Sequence, residues 1–188
     1  MTRTRFGFAL IIALLVAPAW AAEITPGVQK EIDKHVEVIK GWAADPVIVK
    51  AVAAQNEKGP LPGIDNAKWK TIRRSEDTIK ELQSGPAGQY LTQKVKGSND
   101  TFSEAFLSAA KGEKVAFVEK TTSYIHKGQP KFDVPFDSGK AWQGKPEFDE
   151  SAQTHQLQVS VPVLSGGKVV GVLVVGLNLT KLEKTAQK

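Results

Sequence analysis

Residues 154–182, THQLQVSVPVLSGGKVVGVLVVGLNLTKL, restrict the fold more than any other part of the chain. Leu157, Val159, Val161 and Val163 alternate with Gln158, Ser160 and Pro162, the two-residue period of a strand with one face buried. Gly166-Gly167 follows, a pair that takes up positive φ at no steric cost and closes a tight hairpin. The next run, Val169 to Leu177, is apolar on both faces and rich in β-branched residues, the pattern of a central strand covered on both sides. Whatever precedes this hairpin must supply cover for two sheet faces.

The preceding chain offers helices first. Val28, Ile32, Val36 and Ile39 recur at helical spacing from Thr25 onward. Asp45-Pro46 breaks or kinks that helix, because Pro46 has no N–H to donate and clashes with the turn before it. A helical stripe continues through Ile48, Ala51 and Val52 to about Lys58, and GPLPG at 59–63 forms a loop. Asp65 or Asn66 caps a further helix carrying Trp69, Ile72, Ile79 and Leu82. Ser84-Gly85-Pro86 ends it, and a shorter helix holds Tyr90, Leu91 and Val95.

From Phe102 the pattern changes to strands, over Phe102–Ser108 and Val115–Glu119, joined by a turn at Gly112. Residues 120–146 have no clean period and carry Gly and Pro throughout, so they form a long structured loop with room for one short helix. Pro146 to Asp149 begins a third strand, and Thr180 to Lys188 forms a polar tail. Helices followed by strands indicate an α+β domain with an antiparallel sheet of about five strands. Residues 22–98 are then mainly helical and residues 99–182 mainly sheet, with one face of the sheet under the long N-terminal helix.

Arg3 and Arg5 precede an apolar stretch from Phe6 to Trp20, and Ala19-Trp20-Ala21 fits a small-x-small cleavage site. The stretch is short of the ~20 residues that span a bilayer as a helix, so residues 1–21 are expected to be a signal peptide and residues 22–188 a single exported domain. Without cysteine, neither disulfides nor a lipid-modified N-terminal cysteine is available, and the expected location is periplasmic or secreted, free of the membrane after cleavage. The formal net charge is +5, but two of the cations lie in the leader and the rest are dispersed, so nucleic-acid binding finds no support.

The segments FSEAFLSAAKGEKVAFVE at 102–119, KTTSY at 120–124, PEFDES at 146–151 and VSVPVLSGGKVVGVLVVGLNLTKL at 159–182 together resemble the Cache family of PAS-like extracytoplasmic sensor domains. ADPVIVKAVAAQN at 44–56 is similar to the stalk helix that precedes such domains. The resemblance implies a five-stranded antiparallel sheet with a small-molecule cavity under the loop between its second and third strands. It also implies a partner in a membrane receptor or histidine kinase. Within that loop and its margins the expected ligand-binding residues are Tyr124, Lys131, Asp137, Trp142, Asp149 and Thr122. Lys131 would pair with a carboxylate, Asp137 or Asp149 with an ammonium group, and Tyr124 or Trp142 would stack on the ligand. An organic acid or amino acid is the expected ligand class.

For each of these residues alone, core packing or solvation is the more ordinary role; the cluster, not any single member, carries the functional reading. His35, His126 and His155 have no metal-binding spacing and are expected to be satisfied or exposed, so no metal is implied, and no cofactor. No nucleophile motif flanks Ser123 or Ser160, and Gly166-Gly167 lacks the helix of a phosphate loop. The expected protein is therefore a non-enzymatic sensor module. An enzyme with an unrecognised site on the same fold and an interaction module with a vestigial pocket are the alternatives. Mass spectrometry of the secreted protein should find an N-terminus at Ala22, give or take a residue; full-length chain in the membrane fraction would refute the leader assignment.

Overall fold

The computed structural model describes residues 24–149 and 154–187; the leader assigned to residues 1–21 lies outside them. The first helix, α1 (Pro26–Ala43), starts where Thr25 accepts a hydrogen bond from Val28 N (3.3 Å) and Pro26 occupies the first turn, where no N–H is needed. Asp45 does the same for α2 (Pro46–Lys58), accepting from Val47 N at 2.9 Å, so Asp45-Pro46 separates two helices instead of kinking one. Asp65 caps α3 (Asn66–Thr71) through Lys68 N at 2.7 Å.

The single helix expected from Asp65 to Leu82 is two. Ile72 leaves the helical region, Arg73 N donates to the Glu76 carboxylate (2.8 Å), and this charged turn restarts the chain as α4 (Asp77–Ser84). Pro86 then opens α5 (Pro86–Lys96).

The strands are β1 (Phe102–Ala109), β2 (Lys114–Phe117), β3 (Trp142–Gln143), β4 (Glu147–Asp149), β5 (Thr154–Ser165) and β6 (Lys168–Asn178). They form an antiparallel sheet in the order β2-β1-β6-β5-β3, with β4 paired to the other end of β5. The β5–β6 hairpin turns on Gly166 (φ 56°) and Gly167 (φ 77°), both in the left-handed region that glycine alone enters freely. The β3 strand was not anticipated: two residues between Lys140 and Gly144 are too few to show a period. Segment 120–146 also contains the one helix it had room for, α6 (Pro130–Ser138).

Helices cover one face, as expected. Ala105, Leu107, Leu157, Val159, Val161, Val163, Leu173, Val175 and Leu177 pack there against Ile32, Ile39, Trp42, Ile48, Val52 and Leu91 of α1, α2 and α5. On the other face Phe106, Val172 and Val174 meet Trp69, Ile79, Phe117, Tyr124 and Phe132, which come from α3, α4, β2, the 118–129 connection and α6. Burial on both sides explains why β6 is apolar on both faces.

The polar tail is instead a further helix, α7 (Leu179–Ala186). Asn178 caps it through Lys181 N (3.1 Å), and Leu179 and Leu182 enter the core beside Val28 and Ile32 of α1. Its polar composition is that of an amphipathic surface helix, whose apolar stripe needs only two or three residues in eight. Leu182 is 1% exposed. Leu182→Ala is therefore expected to destabilise the domain by ~2–5 kcal/mol, read from urea unfolding; an unchanged midpoint would detach α7 from the folded core.

Candidate ligand-binding site

The sheet face opposite α1 is not uniformly apolar. Cross-strand register places Lys114 of β2 opposite Ser108 of β1, and Ser108 opposite Val172. The next rung runs Phe106, Val174, Ser160 and Trp142 across β1, β6, β5 and β3, and the one after it Glu104, Gly176 and Gln158. Residues directly opposite on antiparallel strands project to the same side, so Lys114, Ser108, Ser160, Glu104, Gln158 and Trp142 share this face.

Over it lies the 118–129 connection, which is firmly tied down. Asn66 Oδ1 accepts from both Tyr124 N and Ile125 N (2.8 Å each) while its Nδ2 donates to the Ile125 carbonyl (2.9 Å). Trp69 Nε1 donates to the Thr121 carbonyl (2.8 Å), and the Tyr124 hydroxyl accepts from Leu61 N (2.9 Å). The Trp69 and Tyr124 rings stack with centroids 5.2 Å apart. His126 N donates to the Gly112 carbonyl at 2.8 Å, which carries the histidine ring beneath the connection to within 4.7 Å of the Phe106 ring.

Buried polar atoms concentrate here. Ser108 Oγ, Glu113 Oε1, Lys114 Nζ, His126 Nδ1 and Ser160 Oγ are enclosed, and none has a hydrogen-bond partner among the described residues. Native interiors leave few such groups unpaired, and those that persist usually mark function. Lys114 is fully buried, with Nζ 3.5 Å from the centroid of the Phe106 ring. Burial pulls its ammonium well below the ordinary lysine range; Glu104 opposes the shift and Lys131 adds to it. Burial above all, with Lys131 and, when it is protonated, Lys114, takes His126 down to about 2, so its ring is neutral.

Glu104 is already engaged: Gln158 Nε2 donates to its Oε1 at 2.6 Å, across β6. The crossing depends on Gly176, since a Cβ there would sit 2.8 Å from Glu104 Cγ. Where β3 and β4 meet β5, a cavity of about 290 Å³ is lined by Lys131, Trp142, Gly144, Lys145, Glu147 and Gln158, among others; Ser108, Lys114, His126 and Ser160 are not in its lining.

Of the six ligand-binding residues expected from the sequence, the structure brings Lys131 and Trp142 together at this cavity. Tyr124 is buried in the stack that anchors the connection, its hydroxyl occupied by Leu61 N. Asp137 is exposed on α6, and Thr122 is exposed beside a separate surface depression with Arg73, Arg74 and Lys120. The Asp149 backbone pairs with Thr154 in β4, and its side chain lies outside the described residues. His126, expected to be satisfied or exposed, is buried with Nδ1 unpaired.

Ser108, Lys114, His126 and Ser160 were not singled out as ligand-binding residues. For Ser108 and Ser160 the signal was present nonetheless, since both alternate along strands that neighbour the two-sided apolar run of β6; Lys114 on β2 and His126 outside the strands carried none.

No family model matches this sequence, and no curated protein is similar to it in sequence. Solved structures are similar in fold. The sensor domain of the V. cholerae histidine kinase DctB superposes with a TM-score of 0.55 at 17% identity, over 86% of this chain and 54% of that one. The ligand-binding domain of the Pseudomonas aeruginosa amino acid chemoreceptor PctC, in complex with GABA, gives 0.52 at 14% identity, over 84% and 58%. That of the P. aeruginosa chemoreceptor PctB, in complex with L-Arg, gives 0.50 at 16% identity, over 85% and 55%. The chain thus spans just over half the length of these structures. The chain shares its fold with these sensor and ligand-binding domains. Among the described residues no helix is long and apolar enough to cross a membrane.

The depressed His126 gives the fold a defined acid response. Above the ordinary histidine value of 6.5 both folded and unfolded chains hold a neutral ring; below it only the unfolded chain takes up the proton, until the pH approaches about 2. This residue should therefore cost ~1.4 kcal/mol of stability per pH unit on descending from about pH 6. His126→Gln should flatten that decline in urea melts at a series of pH values; an unchanged slope would show that the ring protonates in the folded protein.

Proposed function

We propose that the protein is an exported sensor module, residues 22–188 acting as one domain, that binds a small carboxylate and reports its presence to a membrane receptor or histidine kinase. The observation that carries this reading is the set of buried, unpartnered atoms of Ser108, Lys114, His126 and Ser160, beside the cavity at Lys131 and Trp142. Left unpaired, each such group costs the fold about 1–3 kcal/mol, a cost that a polar ligand removes.

Lys114 and Lys131 act on this region and favour an acid. The carboxylates nearby are Glu104, which accepts from Gln158, the buried Glu113, and Glu147 beside Lys131 and Lys145 at the cavity. Phe106 and Trp142 supply aromatic walls and Ser108 and Ser160 neutral hydrogen-bonding groups, the mixture small-molecule cavities use to combine affinity with orientation. An amino acid fits the same frame if its ammonium group reaches Glu104. The likeness in fold to sensor domains of a kinase and of chemoreceptors supports a binding role without catalysis.

Thermal melting against a panel of organic acids and amino acids is the direct test, because a ligand at 100 times its Kd adds ~2.7 kcal/mol. For a carboxylate that shifts the melt, calorimetry should give a loss of ~2–5 kcal/mol for Lys114→Met or Ser160→Ala if these touch it. Lys131→Ala and Trp142→Ala should also weaken binding, whereas Asp137→Ala and Thr122→Ala should leave it unchanged. Wild-type affinity in all four site variants, with folding intact, would overturn this location; a panel without a single shift would overturn the sensor reading.

A further inference from the structure

Lys114 sits where an ammonium ion has no ion-pair partner, and Glu104 alone acts in its favour. Its Nζ is enclosed against the Phe106 ring with no hydrogen bond and no ion pair among the described residues. The titratable groups around it come from every packed element. Glu104 on β1 is held by Gln158, and Lys131 on α6 has the same sign. His126, in the 118–129 connection, is neutral, and the Tyr124 hydroxyl in that connection accepts from Leu61 N. Glu113, the residue before it, is also fully buried: one carboxylate oxygen accepts from Lys111 N at 3.0 Å and the other, Oε1, has no partner among the described residues. Ser108 and Ser160 add hydroxyls without charge.

A lone buried cation costs several kcal/mol, and the amine avoids that cost by shedding its proton. A neutral amine can still rest an N–H on an aromatic face. A carboxylate arriving within reach reverses the balance, because an adjacent opposite charge favours the ammonium form.

Resting on the reading above, we propose that this site takes up its ligand as a carboxylate together with one proton, which Lys114 receives from solvent as the anion binds. The exchange balances: the carboxylate stays ionised, one N–H bond forms at Nζ, and one hydronium-equivalent leaves the medium. Anion and proton together add no net charge to the interior, which reconciles a fully buried lysine with an anionic ligand. Lys114 suits this role better than His126, since its ordinary value is 10.5 against 6.5 and the amine at the end of its stem can turn from the ring to the ligand. The sign follows from linkage. Between the values Lys114 holds in the free and loaded protein, affinity falls about tenfold for each unit rise in pH. A high proton concentration therefore favours capture.

Two measurements on the full exported domain test this. With lysine labelled at Nζ and Cε, NMR of the ligand-free protein should show a neutral amine near neutral pH for the signal that Lys114→Met removes; an ammonium signal there overturns the proposal whatever the ligand. Calorimetry then uses succinate, acetate and γ-aminobutyrate as probes, each in phosphate and in Tris. A probe that binds should show heats that differ by the difference between the ionisation enthalpies of Tris and phosphate, as for one proton taken up, and should convert the Lys114 signal to ammonium. Asp137→Ala, exposed on α6 and outside the site, should keep that uptake and Lys114→Met should abolish it. Binding with equal heats in both buffers overturns proton-linked capture and leaves the sensor reading standing. Failure of all three probes to bind removes the carboxylate reading and proton-linked capture with it.

Discussion

A strand that must be dry on both sides decides the character of everything beside it. β6 runs through the middle of the sheet with Leu173, Val175 and Leu177 turned to the helices and Val172 and Val174 to the opposite face. Its neighbours β1 and β5 are paired to it over most of their length. On their second face Ser108 and Ser160 are fully buried and need partners inside the protein or in something that enters it, while Glu104 and Gln158 are half-buried. Glu104 and Gln158 find each other over Gly176; the two serines find none.

The cover over that face is held differently from the cover over the other. α1, α2, α5 and α7 are attached mainly by apolar area, which is non-directional, with Asn56 of α2 adding bonds to the Val170 carbonyl and Ala110 N. The 118–129 connection is attached by directional bonds to α3, through Asn66, Trp69 and the Tyr124 hydroxyl. Backbone polar groups in a buried connection need such partners because no strand or helix ladder satisfies them. Asn66, with three bonds to two adjacent residues, does more for this than any other side chain there. The His126 ring and the start of α6 thus have fixed positions relative to the sheet.

Much of this was legible in the chain itself. The hairpin at Gly166-Gly167, the two-sided run from Val169, the break at Asp45-Pro46 and the class of fold all follow from local physics: positive φ, strand period and a missing N–H. What local patterns could not reveal depended on distant partners. Tyr124 looked like a ligand-stacking ring, and only the approach of Trp69 and Leu61 makes it a tether. The terminal segment looked like a tail because Leu179 and Leu182 are too few to announce a helix without α1 to pack on. Ser108 and Ser160 were passed over because alternation with buried residues ordinarily means water on the far side. That inference fails where a second layer replaces the water.

Leaving hydroxyls and an amine unpaired inside a fold is a concession in stability, and replacing both partners of a buried polar contact with apolar groups of similar shape is often neutral or better. Alanine at position 108 or 160 would remove an unsatisfied hydroxyl at little cost in volume. Selection for durability alone would therefore erode this face toward an ordinary hydrocarbon core within a handful of substitutions. A sequence that still carries Ser108, Lys114 and Ser160 on it sits at the less robust end of what its own backbone permits, the usual signature of a protein held back from its stability optimum by its task.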